Sequence, residues 1–477
     1  MSERRCAVIG GAARAAAGGW FTVVDPATEA VIAEVARCAA AEVDAAVDAA
    51  TAASPRWRRR TAAERGRICR AMAEVLGAHR AELAELECRD TGKPLRQADA
   101  DVTAAARYFE FYGAAIEALY GQTVMSDPDR VAFTVLNPHG VSAHIIPWNY
   151  PLQLAARTLA PALAAGNTCV LKPAEDAPLT PLRLGELAAQ AGFPPGVVNV
   201  VPGLGTEAGA ALAQHRGIGH LAFTGSVPVG RQVGAAAARN IVPSMLELGG
   251  KSPQIVFGDA DLDRAVPTIT ASIIEHAGQN CSAGSRVLAH QDVHAELARR
   301  LAGRFAAVII GPGHADPDLG PLISTRQRDR VLEYIDAGRR EARLVTGGEP
   351  VPGPGFFVRP TLFDDVPPQA RIAREEIFGP VLCVLPFRSA AEAVSLANGT
   401  GYGLSAGIWT ADAGLAFAVA GELRAGHVFI NGYSAAAGVE LPFGGYGQSG
   451  YGGEKGFAAF GEYTRTTTIA VGRPAQL

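Results

Sequence analysis

From residue 131 onward, short apolar runs recur with helical stretches between them: "VSAHIIP", "TCVLKPA", "VVNVVPG", "HLAFTGS" and "PQIVFGD". This alternation constrains the fold more than any other feature. Parallel strands need a long crossover, usually a helix, and the helices then cover both faces of the sheet. The stretch "AGNTCVLKPAEDAPLTPLRLGELAAQAGFPPGVVNVVPG" reads as strand, loop, helix, proline-glycine turn and strand, one βαβ unit whose ligand belongs at the carboxyl ends of the strands. A second alternating region spans 253–445, and Asp259 or Asp261 at its start is suited to cap a helix. Residues 40–118 are alanine-rich with helical spacing and no strand-like run, which predicts a helical layer. The terminal "EYTRTTTIAV" is β-branched and isolated behind a glycine-rich stretch, which suits a strand added to another sheet or subunit.

A chain of 477 residues is too long for one core and predicts two or three domains of a helix-rich α/β protein. Its 48% hydrophobic and 19% charged residues exclude a disordered chain, and no run reaches the roughly 18 unbroken apolar residues of a membrane span. A net charge of −4 leaves no basic excess for nucleic acid, and "RWRRR" at 56–60 reads as a solvated helix face. The seven cysteines are odd in number, scattered, and never spaced C-x-x-C, so reduced thiols in the cytoplasm are expected rather than a disulfide frame or a zinc site. His290 and His294 in "HQDVH" lack the glutamate of a zinc helix and read as a solvated pair, so no metal is expected.

Taken singly, the chemical candidates have bland readings. Cys281 in "GQNCSAGSR" is by default a small buried filler, yet it sits among glycine, amides and serines. Glu247 in "ELGGKSP" precedes a Gly-Gly pair that lets backbone approach a ligand and the carboxylate swing as a general base. Asn149 in "IIPWNYP" is an amide displayed between two prolines. In "FTGSVPVG" a strand ends in Gly225 and Ser226 before a helix, where free N–H groups and a hydroxyl suit a pyrophosphate. The nearby "GLGTEAG" misses the last glycine of a dinucleotide fingerprint by one position and reads as a strand-to-helix turn.

In order, "IIPWNYP", "LKPAEDAPLT", "GFPPGVVNVVPG", "FTGSVPVG", "ELGGKSP", "GQNCSAGSR", "EEIFGPV" and "PFGGYGQSG" resemble the signatures of the aldehyde dehydrogenase superfamily, over essentially the whole chain. The resemblance implies an α/β fold with a doubly wound, Rossmann-like NAD-binding domain (1–119 and 139–249), an α/β catalytic domain (250–455), and a small β oligomerisation element (120–138 and 456–477) that makes a homodimer or homotetramer. It implies Cys281 as nucleophile, Glu247 as general base, and Asn149 with the Cys281 N–H as oxyanion donors. Lys172 and Glu175 would hold the adenosine ribose, Gly225 and Ser226 the pyrophosphate, Glu376 the nicotinamide-side ribose, and Phe378 would pack by the nicotinamide. Ile146, Pro147, Trp148, Leu248 and Gly249 complete the implied cofactor site, and Tyr150, Leu154, Arg157 and Phe443 the implied substrate entrance.

That pattern implies oxidation of an aldehyde through a thiohemiacetal and a thioester on Cys281. Branches of the family that pass the acyl group to coenzyme A typically lack the base glutamate, so Glu247 implies hydrolysis to the free acid. Glu175 favours NAD over NADP, because a carboxylate on the ribose diol repels a 2′-phosphate. Two alternatives stand beside this reading. In one, Arg157 reads the carboxylate of a semialdehyde acid, as an arginine at its position does in the succinate semialdehyde branch. Against that, Glu275 replaces the branch's second arginine and offers Arg157 an ion-pair partner. In the other, Cys281 serves a non-redox esterase. A retired scaffold is disfavoured because Cys281, Glu247 and Asn149 are all present. Gly453 stands where arginine often precedes the glutamate, which puts a local salt bridge in doubt, and Gly447 stands where lysine is frequent.

Overall fold

The computed structural model describes residues 3–125, 130–434 and 438–472. The alanine-rich segment forms four helices, Ala40–Arg58, Ala62–Ala78, Arg80–Thr91 and Leu95–Ala115. Sequence chemistry sets their limits. Thr61 and Glu64 make a reciprocal capping box, the Thr61 hydroxyl accepting from the Glu64 N–H (3.2 Å) and the Glu64 carboxylate from the Thr61 N–H (2.7 Å). Gly92, in the left-handed region, closes the third helix. Trp57 in "RWRRR" is buried and donates to the Leu163 carbonyl (3.2 Å), while Arg56, Arg58 and Arg59 face solvent.

An eight-stranded sheet carries the first alternating region. Its central five strands are parallel, in spatial order Ser244–Glu247, His220–Thr224, Val141–Ile145, Thr168–Lys172, Val198–Val200. Chain order reverses between Val141–Ile145 and His220–Thr224, which is the switch point of a doubly wound sheet, where a crevice opens beyond the carboxyl ends. All five residues of Val141–Ile145 and of Thr168–Lys172 are buried, as expected of strands covered on both faces. Antiparallel edge strands extend this sheet. Ala7–Ile9 and Ala12–Arg14 lie beyond Val198–Val200, and Gly450–Tyr451 pairs with Ser244–Glu247 at the other edge.

The second region builds a seven-stranded sheet ordered Arg343–Thr346, Thr361–Asp364, Val381–Phe387, Arg286–His290, Pro253–Val256, Ser405–Trp409, His427–Ile430, with only the first strand antiparallel. Asp261 caps its first helix, Leu262–Ile274, as one of the two expected aspartates, and Asp259 instead binds Thr410 and the N–H groups of Ala411 and Asp412. The terminal strand Thr464–Gly472 pairs along nine residues with Arg130–Pro138 of its own chain, in a small outlying sheet. Of the segments expected to form an oligomerisation element, 126–129 and 473–477 lie outside the described residues.

Candidate active site

The loop Leu248–Ser252 leaves the carboxyl end of one sheet and enters the amino end of the other, so the site lies between them. Glu247 closes the strand Ser244–Glu247 and is 2% exposed, with neither carboxylate oxygen hydrogen-bonded among the described residues. Burial holds its carboxyl well above the usual range; the neighbouring Glu454 pushes the same way and Arg157 opposes both. Asn149 follows Val141–Ile145 just before Pro151 opens the helix Pro151–Ala165. Its amide donates one proton to the Gln279 carbonyl (2.9 Å), two residues before Cys281. Cys281 is partly exposed on the loop ahead of Arg286–His290. Burial pushes its thiol up to about 12, against the pull of Arg157, so ionisation needs a base or an arriving cation.

The Gly-Gly pair allows a close approach, although its targets are protein groups. A Cβ at Gly249 would collide with the Glu376 carboxylate, and one at Gly250 with the Cys281 carbonyl oxygen. The Gly250 N–H donates to Glu376 (3.1 Å), whose carboxyl burial raises to about 7. Phe378 takes a left-handed backbone (φ 61°), held by Gln327 donating to its carbonyl (2.7 Å), and its ring meets Trp148 edge-on at 5.4 Å.

Cys281, Glu247 and Asn149 border one cleft of about 1140 Å³. Pro147, Trp148, Gly225, Ser226, Leu248, Gly249, Glu376 and Phe378 border it too, as do Tyr150, Leu154, Arg157 and Phe443. Ile146, Lys172 and Glu175 do not line it. They stand together at neighbouring strand ends, Ile146 N–H to the Lys172 carbonyl (3.1 Å) and Lys172 Nζ to Glu175 (3.0 Å). Burial alone would raise the Glu175 carboxyl, but Lys172 and the Gly205 N–H hold it below its usual range. The turn after Val198–Val200 thus serves Glu175, and "GLGTEAG" opens a short helical turn.

Several expectations need correction. The Gly225 N–H is not free for a phosphate, because it donates to the Glu247 carbonyl (3.0 Å). The Ser226 hydroxyl does not cap its own helix, Val227–Arg239, and remains available. Arg157 pairs with Glu454, not Glu275, and its guanidinium lies 4.2 Å from the Phe443 ring centre. Glu275 instead accepts from the Tyr150 hydroxyl (3.3 Å). Glu454 therefore has its salt bridge despite Gly453, from a helix remote in sequence. His290 and His294 are not a solvated pair. His290 accepts from the Asp292 N–H at the start of its helix, and His294 pairs with Asp364 (2.8 Å), an aspartate that Arg343 also binds.

Sequence reasoning missed the anchor of the Asn149 loop. Lys93 is fully buried in "TGKP" and donates to the Asn149 carbonyl (2.9 Å), Glu87 (3.2 Å) and Asp101. A lysine between glycine and proline at the turn between the third and fourth helices was its only signal. Gln327 gave none, being an ordinary amide on the helix Thr325–Glu341.

The sequence profile of the "Aldehyde dehydrogenase family" matches residues 14–469. The chain is 42% identical over 461 residues to a hydroxyisobutyraldehyde dehydrogenase of Mycolicibacterium austroafricanum (96% of this chain, 91% of that one). It is 44% identical over 463 residues to a betaine aldehyde dehydrogenase of Sinorhizobium fredii (96% and 94%). Its fold superposes on the NAD+ complex of an aldehyde dehydrogenase from Bacillus cereus with a TM-score of 0.97, at 42% identity, covering 98% of this chain and 97% of that one.

Proposed function

Because the chain belongs to the aldehyde dehydrogenase family, we propose that Cys281, Glu247 and Asn149 are the groups with which it oxidises an aldehyde to the carboxylic acid. The observation that carries this reading is their convergence on one cleft at the switch point, with a buried, unpartnered carboxylate facing the same space as the thiol. The Cys281 thiol passes its proton to ionised Glu247, directly or through water, as its sulfur bonds to the aldehyde carbon; Glu247 then returns that proton to solvent. The carbonyl oxygen takes up the electron pair between the second Asn149 amide proton and the Cys281 N–H, donors whose loss typically costs about 10²–10³ in rate. After hydride departure leaves a thioester, Glu247 takes a proton from water, the hydroxide adds to the acyl carbon, and the acid and the thiol separate.

The residues fit NAD, which supplies the hydride acceptor when bound. The crevice lies at the switch point, the Ser226 hydroxyl faces it from a helix N-terminus, and Glu376 waits beside Gly250. The Lys172–Glu175 pair supports NAD over NADP, since Lys172 keeps Glu175 ionised and a 2′-phosphate would meet that charge. We expect kcat/KM at least about tenfold higher with NAD, a discrimination of about 1.4 kcal/mol; equal values with NADP would sink this assignment.

At the entrance, Glu454 already takes the charge of Arg157, and Glu275 is held by Tyr150. We therefore favour an uncharged aldehyde over a semialdehyde acid. The outlying sheet, with apolar side chains facing outward, supports a homo-oligomer, and seven free cysteines support a reducing compartment such as the cytoplasm. Among the described residues no helix is long and apolar enough to cross a membrane. The domain division proposed is a cofactor domain on the first sheet, a catalytic domain on the second, and the outlying sheet as the oligomerisation element.

The deciding experiment follows NADH formation over a panel of aldehydes with wild type, Cys281→Ala and Glu247→Gln. Cys281→Ala should form none. Glu247→Gln should release one NADH per active site and then slow about 10²-fold or more. Multiple fast turnovers by Glu247→Gln would reassign the base.

A further inference from the structure

The turn that joins the third and fourth helices grips both loops of the active site. Lys93 follows Gly92 in that turn and is fully buried. Its ammonium donates to the Asn149 carbonyl (2.9 Å), to Glu87 (3.2 Å) and to Asp101, which uses all three of its protons, and it lies 4.5 Å from the Tyr150 ring centre. Shortly after it, the Gln97 side-chain carbonyl accepts from the His276 N–H (3.0 Å), on the segment that leads into Cys281. His276 and Ala277 both hold a left-handed backbone (φ 47° and 54°), a conformation that costs about 1–3 kcal/mol per residue and persists only where its surroundings fix it. The stretch from Lys93 to Gln97 therefore sets where the Asn149 loop stands relative to the Cys281 loop.

The Lys93 ammonium is a clamp and not a counter-ion. Burial would discharge it, but Asp101 and Glu87 outweigh that effect and hold it above its usual range. Burial also pushes the Asp101 carboxyl up to about 7, against the pull of Lys93. One cation against a single ionised carboxylate leaves no net positive charge, and a second carboxylate makes the sum negative, so the group offers no attractive field to an oxyanion. What it can do is fix a direction. Glu87 is itself held by the Thr180 hydroxyl, and the Asn149 carbonyl on Lys93 fixes the peptide plane beyond it. On the side-chain end the Asn149 amide donates to the Gln279 carbonyl (2.9 Å), and because the amide is planar its second proton is left with one direction.

We infer that Lys93 is a positioning residue for the oxyanion: it holds the Asn149 backbone so that the second amide proton and the Cys281 N–H converge on one point, an inference that rests on the reading of Asn149 proposed above. Lys93 touches neither aldehyde nor cofactor in this role and acts only through Asn149. A displacement of about 1 Å at such a donor costs about 10²-fold in rate.

The test is a double-mutant cycle on the full chain, read as kcat/KM for the best aldehyde per active site, with sites counted by iodoacetamide titration of Cys281. Asn149→Ala should lower that value about 10²–10³-fold, and Lys93→Met about 10²-fold. The double variant should match Asn149→Ala within about twofold, since no amide remains to be positioned. Losses that multiply, with Asn149→Ala itself impaired, overturn the role of Lys93 and leave the oxyanion reading standing. Full activity in Asn149→Ala removes that reading and the proposal with it. A Lys93→Met defect confined to the number of titratable sites or to NAD affinity would make the residue merely structural and also overturn the proposal. If Lys93→Met does not fold, Asp101→Asn takes its place in the cycle: it loosens one of the two carboxyl grips, and should show a smaller loss that likewise disappears in the Asn149→Ala background.

Discussion

The raised carboxyl of Glu247 is the balance of three influences that can be separated. Burial removes water from both oxygens, Glu454 adds a like charge, and Arg157 opposes. Because the proposed base acts only when ionised, turnover limited by thioester hydrolysis should fall as pH drops through a midpoint well above the usual glutamate value of about 4.3. Glu454→Gln removes the repelling anion and leaves the Arg157 charge unopposed, so both effects lower the Glu247 pKa. The acid limb of the kcat profile should move to lower pH in that variant, while its thermal stability falls by about 3–5 kcal/mol for the broken buried pair. An acid limb that stays in place would mean that Glu454 does not face the base. Cys281, Glu247 and Asn149 stood out in the sequence as candidates because each lies inside a short motif. The partners that tune them did not, since Lys93 to Asn149 and Arg157 to Glu454 are contacts across 56 and 297 residues made by packing alone.

Among the elements, the parallel strands were the most legible, because continuous apolar runs flanked by helices leave few other arrangements. The N-terminal strands Ala7–Ile9 and Ala12–Arg14 were not, being three residues each and stabilised only as antiparallel edges of a sheet whose other strands come much later. The terminal strand was legible as a strand, and the family resemblance grouped it with 120–138, but the register of its pairing with Arg130–Pro138 was not legible. Thr464–Gly472 lies at the edge of its sheet, and places Ile469 opposite Phe133 and Val471 opposite Val131. Ile469, Val471 and Phe133 are 40%, 55% and 37% exposed, an apolar face on an open edge that a monomer ordinarily avoids. Ile469→Asp with Val471→Asp should therefore reduce the proposed oligomer to monomers by light scattering after gel filtration, with the far-UV circular dichroism unchanged. An unaltered mass would assign the interface elsewhere.

At the scale of the molecule, the outlying sheet is tied to the eight-stranded sheet through a stack of rings, buried except for the half-buried His139. His139 stacks on His220 (5.2 Å), His220 meets Tyr463 (5.0 Å, edge-on), and Tyr463 stacks on His144 (5.9 Å). His139 accepts from Arg465 (2.8 Å), His220 faces the Ser142 hydroxyl (3.2 Å), and neither nitrogen of His144 has a partner among the described residues. Burial lowers all three imidazoles, His144 to about 3, His139 to about 4 with help from Arg465, and His220 well below the usual value. An unfolded histidine titrates near 6.5, so below that pH the unfolded chain takes up protons that the native chain refuses, and stability falls as pH drops towards the native values. For His144 alone the loss between pH 6.5 and pH 5 is about 2 kcal/mol, at about 1.4 kcal/mol per unit. His144→Phe keeps a ring against Tyr463 and removes the titration. Its melting temperature should match or exceed that of the wild type at pH 7.5, and should fall less steeply between pH 6.5 and pH 5. Carboxylates titrate equally in both proteins, so the difference between the two curves isolates the imidazole; parallel curves would show that His144 is already solvated in the native state.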